Sequence, residues 1–579
     1  MFCKRDTHFF YSLSCKQVRF ITFYSGLILN KTNAIIFFFS LLMFGCNSST
    51  STNLTSDETS TSLTTESDSV PKSFNLQDIR ALPDKTKSFN FKWSDSINAE
   101  TYQICRQNSA YFKNCEPIGD VVSTTSNEVS IDNELLNSGL EFFVIASNQS
   151  GEMLSNHMTI SPDELLASIG HIQAKRIQDA MGWDVSLSAD GNTLAVGSEN
   201  YVFIFNNLND QWQKHAIPIE GGSSTVSLSA DGNTIAFYNS LSGEVHIYVC
   251  SENKWTRQAI LQADYVEPSD NFGLSLSLST DGSTLAIGAD GEDSSSIGVG
   301  GDMDNNDAEN SGAVYIYYRT ENLWSQQAYL KASNAFSGDQ FGWSVSLSGN
   351  GNILAVGAIG ESTNAYGFRG VAFGHDPQRS GAVYIFVRNE DDWEQQASFK
   401  TEYPQPEDLL GYSLSLSADG ATLAVGAIGE DSSDIGPGGD DSNHNAFYSG
   451  AVYIFTHSAG SWTQQAYIKA SNAQSGDSFG ADVSLSADGT ILAVGAEEED
   501  SDAQGIDSEQ VNNDAEDSGA VYVFRRQGDV WSQSSYVKSA NTLSSEFFGV
   551  SVSLSSDGNT LSVGSDVSGS DEFGSVYIY

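Results

Sequence analysis

Short runs of alternating apolar and polar residues recur along the C-terminal part of the chain. In FGWSVSLSGNGNILAVGA, residues 341–358, two such runs flank Asn350-Gly351. This alternation predicts β-strands, and Asn-Gly or Asp-Gly between them predicts a type I′ hairpin turn, whose two central residues need positive φ. The pattern occurs seven times, with the turn pairs Asp190-Gly191, Asp231-Gly232, Asp281-Gly282, Asn350-Gly351, Asp419-Gly420, Asp488-Gly489 and Asp557-Gly558.

The hairpins belong to a longer repeat. Its first strand begins at residues 272, 341, 410, 479 and 548, which are 69 residues apart. A GAVYIF-like strand and a strand opened by Trp follow with the same period, so each unit holds four strands. Such a sheet must cover two faces by stacking on its neighbours, and a closed ring leaves no exposed ends. We therefore expect an all-β chain in which residues 166–579 form a seven-bladed β-propeller.

The two ends of this region explain how the ring can close. The seventh unit stops at VYIY, residues 576–579, without a fourth strand. The segment GHIQAKRIQD, residues 170–179, aligns with the fourth strand of other units. We expect it to supply the missing strand.

Residues 72–162 carry irregular strand signals that predict a small antiparallel sandwich. The stretch LNSGLEFFVIASNQSGE, together with Trp93 and Tyr102, resembles a fibronectin type III domain, although Phe142 stands where that family has a corner Tyr. Cys105 and Cys115 are spaced to join neighbouring strands in an oxidising compartment.

The N-terminal 46 residues have the features of a targeting segment. Residues 34–45 are an apolar run of signal-peptide length, and MFGC before NSST resembles the lipobox of bacterial lipoproteins. That resemblance implies lipidation of Cys46, export to the cell envelope and, from Asn47, an outer-membrane destination. The alternative is an uncleaved membrane anchor over residues 18–45, and translation starting near Leu29 is also consistent with the sequence.

Residues 47–71 are rich in Ser and Thr and nearly free of large apolar side chains, which predicts a disordered tether. They would hold the folded part away from a membrane that the chain meets only through its lipid.

The sequence motifs of the repeats are similar to those of a known protein family. FGWSVSLS, LAVGA, SGAVYIF and WSQQAYLKASN resemble bacterial FG-GAP repeat proteins, relatives in architecture of the integrin α-subunit propeller. The resemblance covers residues 170–579 and is weakest in the first two units. It implies a propeller with a role in binding or adhesion.

The net charge of the chain limits the classes of molecule that it can bind. The chain has 74 acidic and 27 basic residues, a formal charge of −47. A surface this negative repels nucleic acid and anionic lipid, whereas it attracts cations and basic partners. Solubility alone is the simpler explanation. We expect a protein or glycan partner and no nucleic acid.

One loop suggests calcium. Asp302, Asp304, Asn306 and Asp307 place oxygen ligands at alternate positions, which suits Ca²⁺. The loop lacks the Gly and the terminal Glu of an EF-hand. The alternative is a solvated acidic loop whose Asp and Asn residues make local turns. No other cofactor is expected.

The fourth unit breaks the acidic pattern of the other loops with YGFRGVAFGHDPQR, residues 366–379. Aromatic and Arg side chains dominate interface hot spots, so this loop is a candidate contact patch. The alternative is that its aromatic residues fold back on their own loop. The candidate residues are Tyr366, Phe368, Arg369, Phe373, His375 and Arg379.

One stretch of the chain matches a catalytic pattern. Residues 476–480, GDSFG, fit the G-x-S-x-G nucleophile motif, but the equivalent stretch of another unit reads GDQFG with Gln340. We expect a non-catalytic, lipid-anchored surface protein whose acidic, loop-rich propeller face binds a partner, with calcium assisting. The alternatives are an enzyme acting on extracellular polysaccharides or peptides at the propeller mouth, and a structural part of an envelope assembly.

Overall fold

The fold is built from strands and turns. The computed structural model describes residues 69–82, 87–107, 114–130, 141–160, 170–173, 181–208, 211–219, 221–222, 225–264, 267–363, 379–566 and 574–579. These ranges contain no α-helix; a 3₁₀ turn spans Pro268–Asp270. The prediction of an all-β chain is confirmed.

The N-terminal strands form two antiparallel sheets around one core. The strands are β1 (Leu76–Ala81), β2 (Ser88–Trp93), β3 (Thr101–Gln107), β4 (Cys115–Val122), β5 (Ser126–Ser130), β6 (Glu141–Asn148), β7 (Gly151–Leu154) and β8 (Met158–Thr159). The sheet orders are β1-β2-β5 and β4-β3-β6-β7, with β8 paired to β6. Phe91 and Phe142, from opposite sheets, meet edge to face with their ring centroids 5.5 Å apart. Cys105 and Cys115 are joined by a disulfide across β3 and β4.

The remaining strands form four-stranded antiparallel sheets, numbered here 1 to 7 along the chain. Sheet 1 contains β10 (Met181–Leu187), β11 (Thr193–Ser198), β12 (Tyr201–Leu208) and β13 (Gln211–Pro218). Sheet 2 contains β14 (Val226–Leu228), β15 (Thr234–Asn239), β16 (Glu244–Ser251) and β17 (Lys254–Leu261). Sheet 3 contains β18 (Leu276–Leu278), β19 (Thr284–Ala289), β20 (Ala313–Thr320) and β21 (Leu323–Leu330).

Sheet 4 contains β22 (Phe341–Leu347), β23 (Ile353–Ala358), β24 (Ala382–Asn389) and β25 (Asp392–Phe399). Sheet 5 contains β26 (Leu414–Leu416), β27 (Thr422–Ala427), β28 (Ala451–Ser458) and β29 (Ser461–Ile468). Sheet 6 contains β30 (Phe479–Leu485), β31 (Ile491–Ala496), β32 (Ala520–Gln527) and β33 (Val530–Val537). Sheet 7 contains β34 (Ser551–Leu554), β35 (Leu561–Ser565), β36 (Ser575–Ile578) and, as its fourth strand, β9 (Gly170–Gln173).

Strand β9 comes from the other end of this region of the chain. It pairs antiparallel with β36, from Gly170 opposite Ile578 to Gln173 opposite Ser575. Sheet 7 therefore joins the first and last strands of the array.

A circle of backbone hydrogen bonds links successive sheets just beyond the ends of their first strands. Each N–H donates to a carbonyl of the next sheet, and the last bond returns to sheet 1, with distances from 2.8 to 3.1 Å. The residues in order are Ala189, Ala230, Thr280, Gly349, Ala418, Ala487 and Ser556. A second circle runs parallel to it, since a Ser of each first strand accepts the N–H of a Leu on the adjacent sheet; these acceptors are Ser186, Ser227, Ser277, Ser346, Ser415, Ser484 and Ser553.

The turns between first and second strands differ from the predicted type. In sheet 5, the Gly420 N–H donates to the Ser417 carbonyl and Gly420 has φ +71°, but Asp419 is not among the residues with positive φ. The Asp419 side chain instead accepts from Ser417 Oγ at 2.7 Å and from the Ala421 N–H at 2.9 Å. The type I′ prediction was wrong because Asp caps the turn through its side chain and Gly alone takes the left-handed conformation.

In sheets 3, 4, 6 and 7, a Phe at the start of the unit packs on a Tyr of the third strand. Phe341 packs edge to face on buried Tyr384 with ring centroids 5.4 Å apart, and Phe479 meets Tyr522 in the same way at 5.3 Å. The Gly that follows this Phe cannot be replaced easily, because Gly342 has φ +95° and a Cβ there would lie 2.4 Å from the Ala313 carbonyl oxygen. The Phe is thus required for packing, and the Gly is required for the conformation of the backbone.

Candidate binding face

The two ends of the ring carry different connections. One end, called here the turn end, holds the short Asp-Gly and Asn-Gly turns. The opposite end, called the loop face, holds the links between second and third strands and between each fourth strand and the next sheet. The second-to-third links are long in sheets 3, 4, 5 and 6 and short in sheet 1. Those of sheets 3, 5 and 6, residues 290–312, 428–450 and 497–519, are described throughout, whereas the link of sheet 4 includes residues 364–378, which lie outside the described residues.

Each of these three long loops is built around one Asn side chain. Asn305 Oδ1 accepts from the Ser295 N–H at 2.8 Å, and its Nδ2 donates to Ser294 Oγ at 3.0 Å. The equivalent Asn443 and Asn512 make the same pair of bonds in sheets 5 and 6. Sequence reasoning missed these residues, although their recurrence at the repeat spacing was visible.

The predicted calcium residues lie in the same loop as Asn305. Asp302 Oδ1 accepts from the Asp304 N–H at 3.1 Å, and Asn306 Nδ2 donates to Glu267 Oε1 at 3.3 Å. Among the described residues, no group of three or more His, Cys, Asp or Glu side chains is placed to hold a metal ion. Calcium binding stays a prediction.

The predicted contact patch of sheet 4 falls mostly in residues 364–378, which lie outside the described residues. They include Tyr366, Phe368, Arg369, Phe373 and His375. Arg379 is described and is 44% exposed in its side chain, with Nη1 3.4 Å from Glu407 Oε2 and Nη2 3.4 Å from Gln340 Oε1. Cys46, the predicted lipidation site, also lies outside the described residues.

Buried ion pairs support the long loops from below. Lys469 Nζ lies 2.7 Å from Glu430 Oε2 and 2.6 Å from Ser449 Oγ, and the Lys469 side chain is fully buried. Burial lowers the pKa of Lys469, and the Glu430 carboxylate opposes that shift. Lys331 with Glu292, Lys400 with Glu361 and Lys538 with Glu499 repeat the pair. Because it recurs in four sheets, the pair is structural.

A second set of buried carboxylates closes the links from one sheet to the next. Asp339 Oδ2 accepts from the Phe336 N–H at 2.8 Å, and Asp477 Oδ2 accepts from the Gln474 N–H at 2.7 Å. Burial raises the pKa of each to about 7. The same role falls to Asp408, whose pKa burial raises to about 8.

Ser478, the Ser of the G-x-S-x-G match, occupies a repeated backbone position. It has φ +54°, and the equivalent Gln340 and Phe547 have φ +55° and +50°. Its Oγ donates to Glu498 Oε2 at 2.6 Å. The motif therefore marks a left-handed position of the repeat rather than a strand-to-helix turn.

The first strands depart from their own repeat at the loop face. Where Ser344 and Ser413 donate to a carbonyl of the next sheet, sheets 1 and 6 have Asp184 and Asp482. Each Asp accepts a backbone N–H of the next sheet at 2.7 Å instead. Burial raises the pKa of Asp482 to about 7. Burial also raises the pKa of Asp184, and the charge of Asp482 adds to that rise.

Carboxylates also replace apolar residues at the position just after the second strand. Sheets 4 and 5 have Ile359 and Ile428 there, whereas sheets 6, 7 and 1 have Glu497, Asp566 and Glu199. Burial, followed by the charges of Glu498, Asp482 and Asp566, raises the pKa of Glu497 to about 7. We call Asp184, Asp482, Glu497, Asp566 and Glu199 the acidic sector.

An aromatic sector lies beside it. Trp343 and Tyr412, from sheets 4 and 5, have ring centroids 5.6 Å apart and pack against a small cluster of buried side chains, Ile359, Leu409, Ile428 and Ala481. Burial, then the charges of Glu497, Glu498 and Asp482, raises the pKa of Tyr412 to about 12, so the two sectors are close enough to interact. Sequence reasoning missed both sectors, although aligning the repeats would have exposed the departures.

The sequence model of the FG-GAP repeat matches residues 255–317, 324–386 and 462–524. The chain carries FG-GAP repeats. Each matched segment begins in the fourth strand of one sheet and ends in the third strand of the next, so the sequence repeat is offset from the sheets by one strand. The three segments cover about a third of the chain.

No curated protein matches the chain. Among solved structures, hydrazine synthase of Kuenenia stuttgartiensis is similar with a TM-score of 0.42 and 12% identity, over 71% of this chain and 97% of that chain. In the described part of the chain, no helix has the length and apolar character needed to cross a bilayer.

Proposed function

We propose that this chain is a non-catalytic cell-surface protein that binds a protein or glycan partner through the loop face of its ring. The observation that carries the proposal is the common construction of the long loops. In sheets 3, 5 and 6 the same Asn and Ser side chains fix loops that project from one end. Binding residues are commonly found on loops positioned by a rigid scaffold. The FG-GAP repeats are consistent with a binding or adhesion role.

We assign the ring to the β-propeller architecture with seven blades and the N-terminal sandwich to a fibronectin type III-like domain. The two hydrogen-bonded circles and the pairing of β9 with β36 support the first assignment. The sheet orders β1-β2-β5 and β4-β3-β6-β7, which resemble the strand arrangement of that family, support the second. The sandwich would act as a spacer.

The proposed location is the cell envelope, with lipid on Cys46 and residues 47–71 as a tether to the outer membrane. The sequence motif MFGC supports it. Replacement Cys46→Ala should move the protein from the membrane fraction to the soluble fraction, and unchanged membrane association would favour the uncleaved anchor over residues 18–45.

Binding of the full chain, in neutral detergent, to isolated envelope proteins and to a glycan panel tests the proposed function. The triple variant Asn305→Ala, Asn443→Ala, Asn512→Ala removes the side chains on which three loops are built and should lose most of the binding. The control variant Asn322→Ala, Asn389→Ala changes exposed residues of outer hairpins and should bind normally. Equal binding by both variants would contradict a loop-face site.

A second candidate is a hydrolytic enzyme acting on extracellular polysaccharides or peptides. Asp482 and Glu497 favour it, because carboxylates with a pKa of about 7 suit general acid catalysis at neutral pH. Release of reducing ends or amines from such polymers, abolished by Glu497→Gln, would support this candidate. No product from the wild-type chain would reject it.

A further inference from the structure

The loop face exposes large aromatic side chains beside the acidic sector. Trp183, next to Asp184 on β10, is 48% exposed. Phe447 is 69% exposed, and its ring centroid lies 4.5 Å from that of Tyr448 with the ring planes tilted by 50°. Trp183 occupies the strand position of Trp343 and Tyr412 in sheets 4 and 5. Exposed Trp and Phe are the residues that dominate contact surfaces when a partner covers them.

These aromatic residues frame the same end of the ring. Tyr448 packs with Trp343 and Tyr412 against the cluster of Ile359, Leu409 and Ile428, so the aromatic sector is continuous across sheets 4 and 5. Its neighbour Ala481 directly precedes Asp482. An apolar surface thus borders a carboxylate-rich one.

The carboxylates determine the chemistry of the occupant. Within the part of the chain that the structure describes, the Glu497 carboxylate accepts no hydrogen bond and forms no ion pair, and the charges that shift its pKa all come from carboxylates. By contrast, the Glu two residues further along the loop is paired with a buried Lys in sheets 3, 5 and 6. A cation from outside the chain would supply what Glu497 lacks, whereas an anionic partner would be repelled.

We propose that the loop face binds a basic polypeptide segment that presents Lys or Arg next to large apolar side chains. The apolar side chains lie on the aromatic sector, and the cationic groups lie on Glu497, Asp566 and Glu199. This inference rests on the proposed binding function and specifies its partner as a polypeptide rather than a glycan. Binding should weaken with salt, because the ion pairs form at a solvated surface.

Fluorescence anisotropy with three labelled peptides tests the proposal on the full chain in neutral detergent. The first is Gly-Lys-Phe-Lys-Phe-Lys-Gly, the second has Glu for Lys, and the third has Ser for Phe. We expect the first peptide to bind, the second not to bind, and the third to bind about tenfold more weakly, as loss of apolar contact predicts.

Substitutions in the acidic sector and at Trp183 test where the first peptide binds. Glu497→Gln with Asp566→Asn, and separately Trp183→Ala, should each weaken the first peptide about fivefold or more. The control Glu321→Gln with Glu390→Gln removes two exposed carboxylates at outer hairpins and should change binding by less than about twofold. Thermal melting of each variant establishes that it is folded.

Three results would overturn the inference. Equal weakening by the sector variant and the hairpin control would show attraction to net charge alone. Displacement of the peptide by a neutral glucan oligosaccharide, with no salt dependence, would show a glycan site. If no peptide binds while the full chain still binds envelope targets through its loops, the inference fails and the proposed function stands; loss of both would reject both.

Discussion

The two ends of the ring follow different rules. At the turn end, every sheet makes the same inter-sheet bonds, and the sequence changes little from one repeat to the next. At the loop face, the backbone path is kept but the side chains change, so that Ser gives way to Asp184 and Asp482 and Ile gives way to Glu497. The repeated bonds of the turn end are therefore those that hold the ring together. The changed side chains of the loop face are specific to this chain.

The largest expected effect comes from breaking the shared scaffold. Phe479→Ala removes a fully buried ring that packs on Tyr522 and should lower the free energy of unfolding by about 3–5 kcal/mol. The matched variant Phe447→Ala removes an exposed ring of the loop face and should change it by about 0.5 kcal/mol or less. Denaturant titration measures the free energy of unfolding of both variants. Equal losses would contradict the difference between the buried scaffold and the loop face.

The next effect comes from the buried ion pairs beneath the long loops. Lys469→Met leaves the Glu430 carboxylate buried without its cation and should cost about 3 kcal/mol. The double variant Lys469→Met, Glu430→Gln should recover part of that loss, because the unpaired charge is gone. A double variant no more stable than Lys469→Met would indicate that the charge pairing is unimportant there.

A smaller effect concerns pH, and it arises from buried carboxylates of the acidic sector together with Asp339, Asp408 and Asp477. The folded-state pKa of Glu497 and of Asp482 is about 7, above the value of an exposed carboxyl, so the folded state binds more protons than the unfolded state between those values. Stability should therefore rise as pH falls from about 8 to about 5. Replacement Asp482→Asn keeps an acceptor for the Val552 N–H and should flatten this dependence by about 1 kcal/mol. An unchanged pH profile would contradict the assignment.

The smallest expected effect is that of calcium. If Asp302, Asp304, Asn306 and Asp307 bind Ca²⁺, an ion concentration equal to Kd should stabilise the chain by about 0.4 kcal/mol, and a chelator should reverse it. Asp302→Asn should abolish the shift in the melting temperature. No shift at saturating ion would remove calcium from the loop face.

The sequence predicted the turn end better than the loop face, for physical reasons. Strand alternation and Gly at the turns are local requirements, so the positions of Gly420 and its equivalents could be read directly. The turn type was missed because the side chain of Asp419 forms bonds that backbone rules alone do not include. At the loop face, oxygen-rich spacing pointed to Asp302, whereas the bonds that organise the loop belong to Asn305. The acidic sector joins residues from three sheets, and only the folded ring brings them together.

A ring joined through its terminal strands requires the pairing of β9 with β36. Ile172 and Val576 are direct partners across these strands, so the variant Ile172→Cys, Val576→Cys should form a disulfide detectable by mass spectrometry under non-reducing conditions. The off-register variant Ile172→Cys, Ile578→Cys should not form it. A cross-link confined to the first variant is the predicted result; no cross-link in either, or equal yields in both, would contradict a ring joined through its terminal strands.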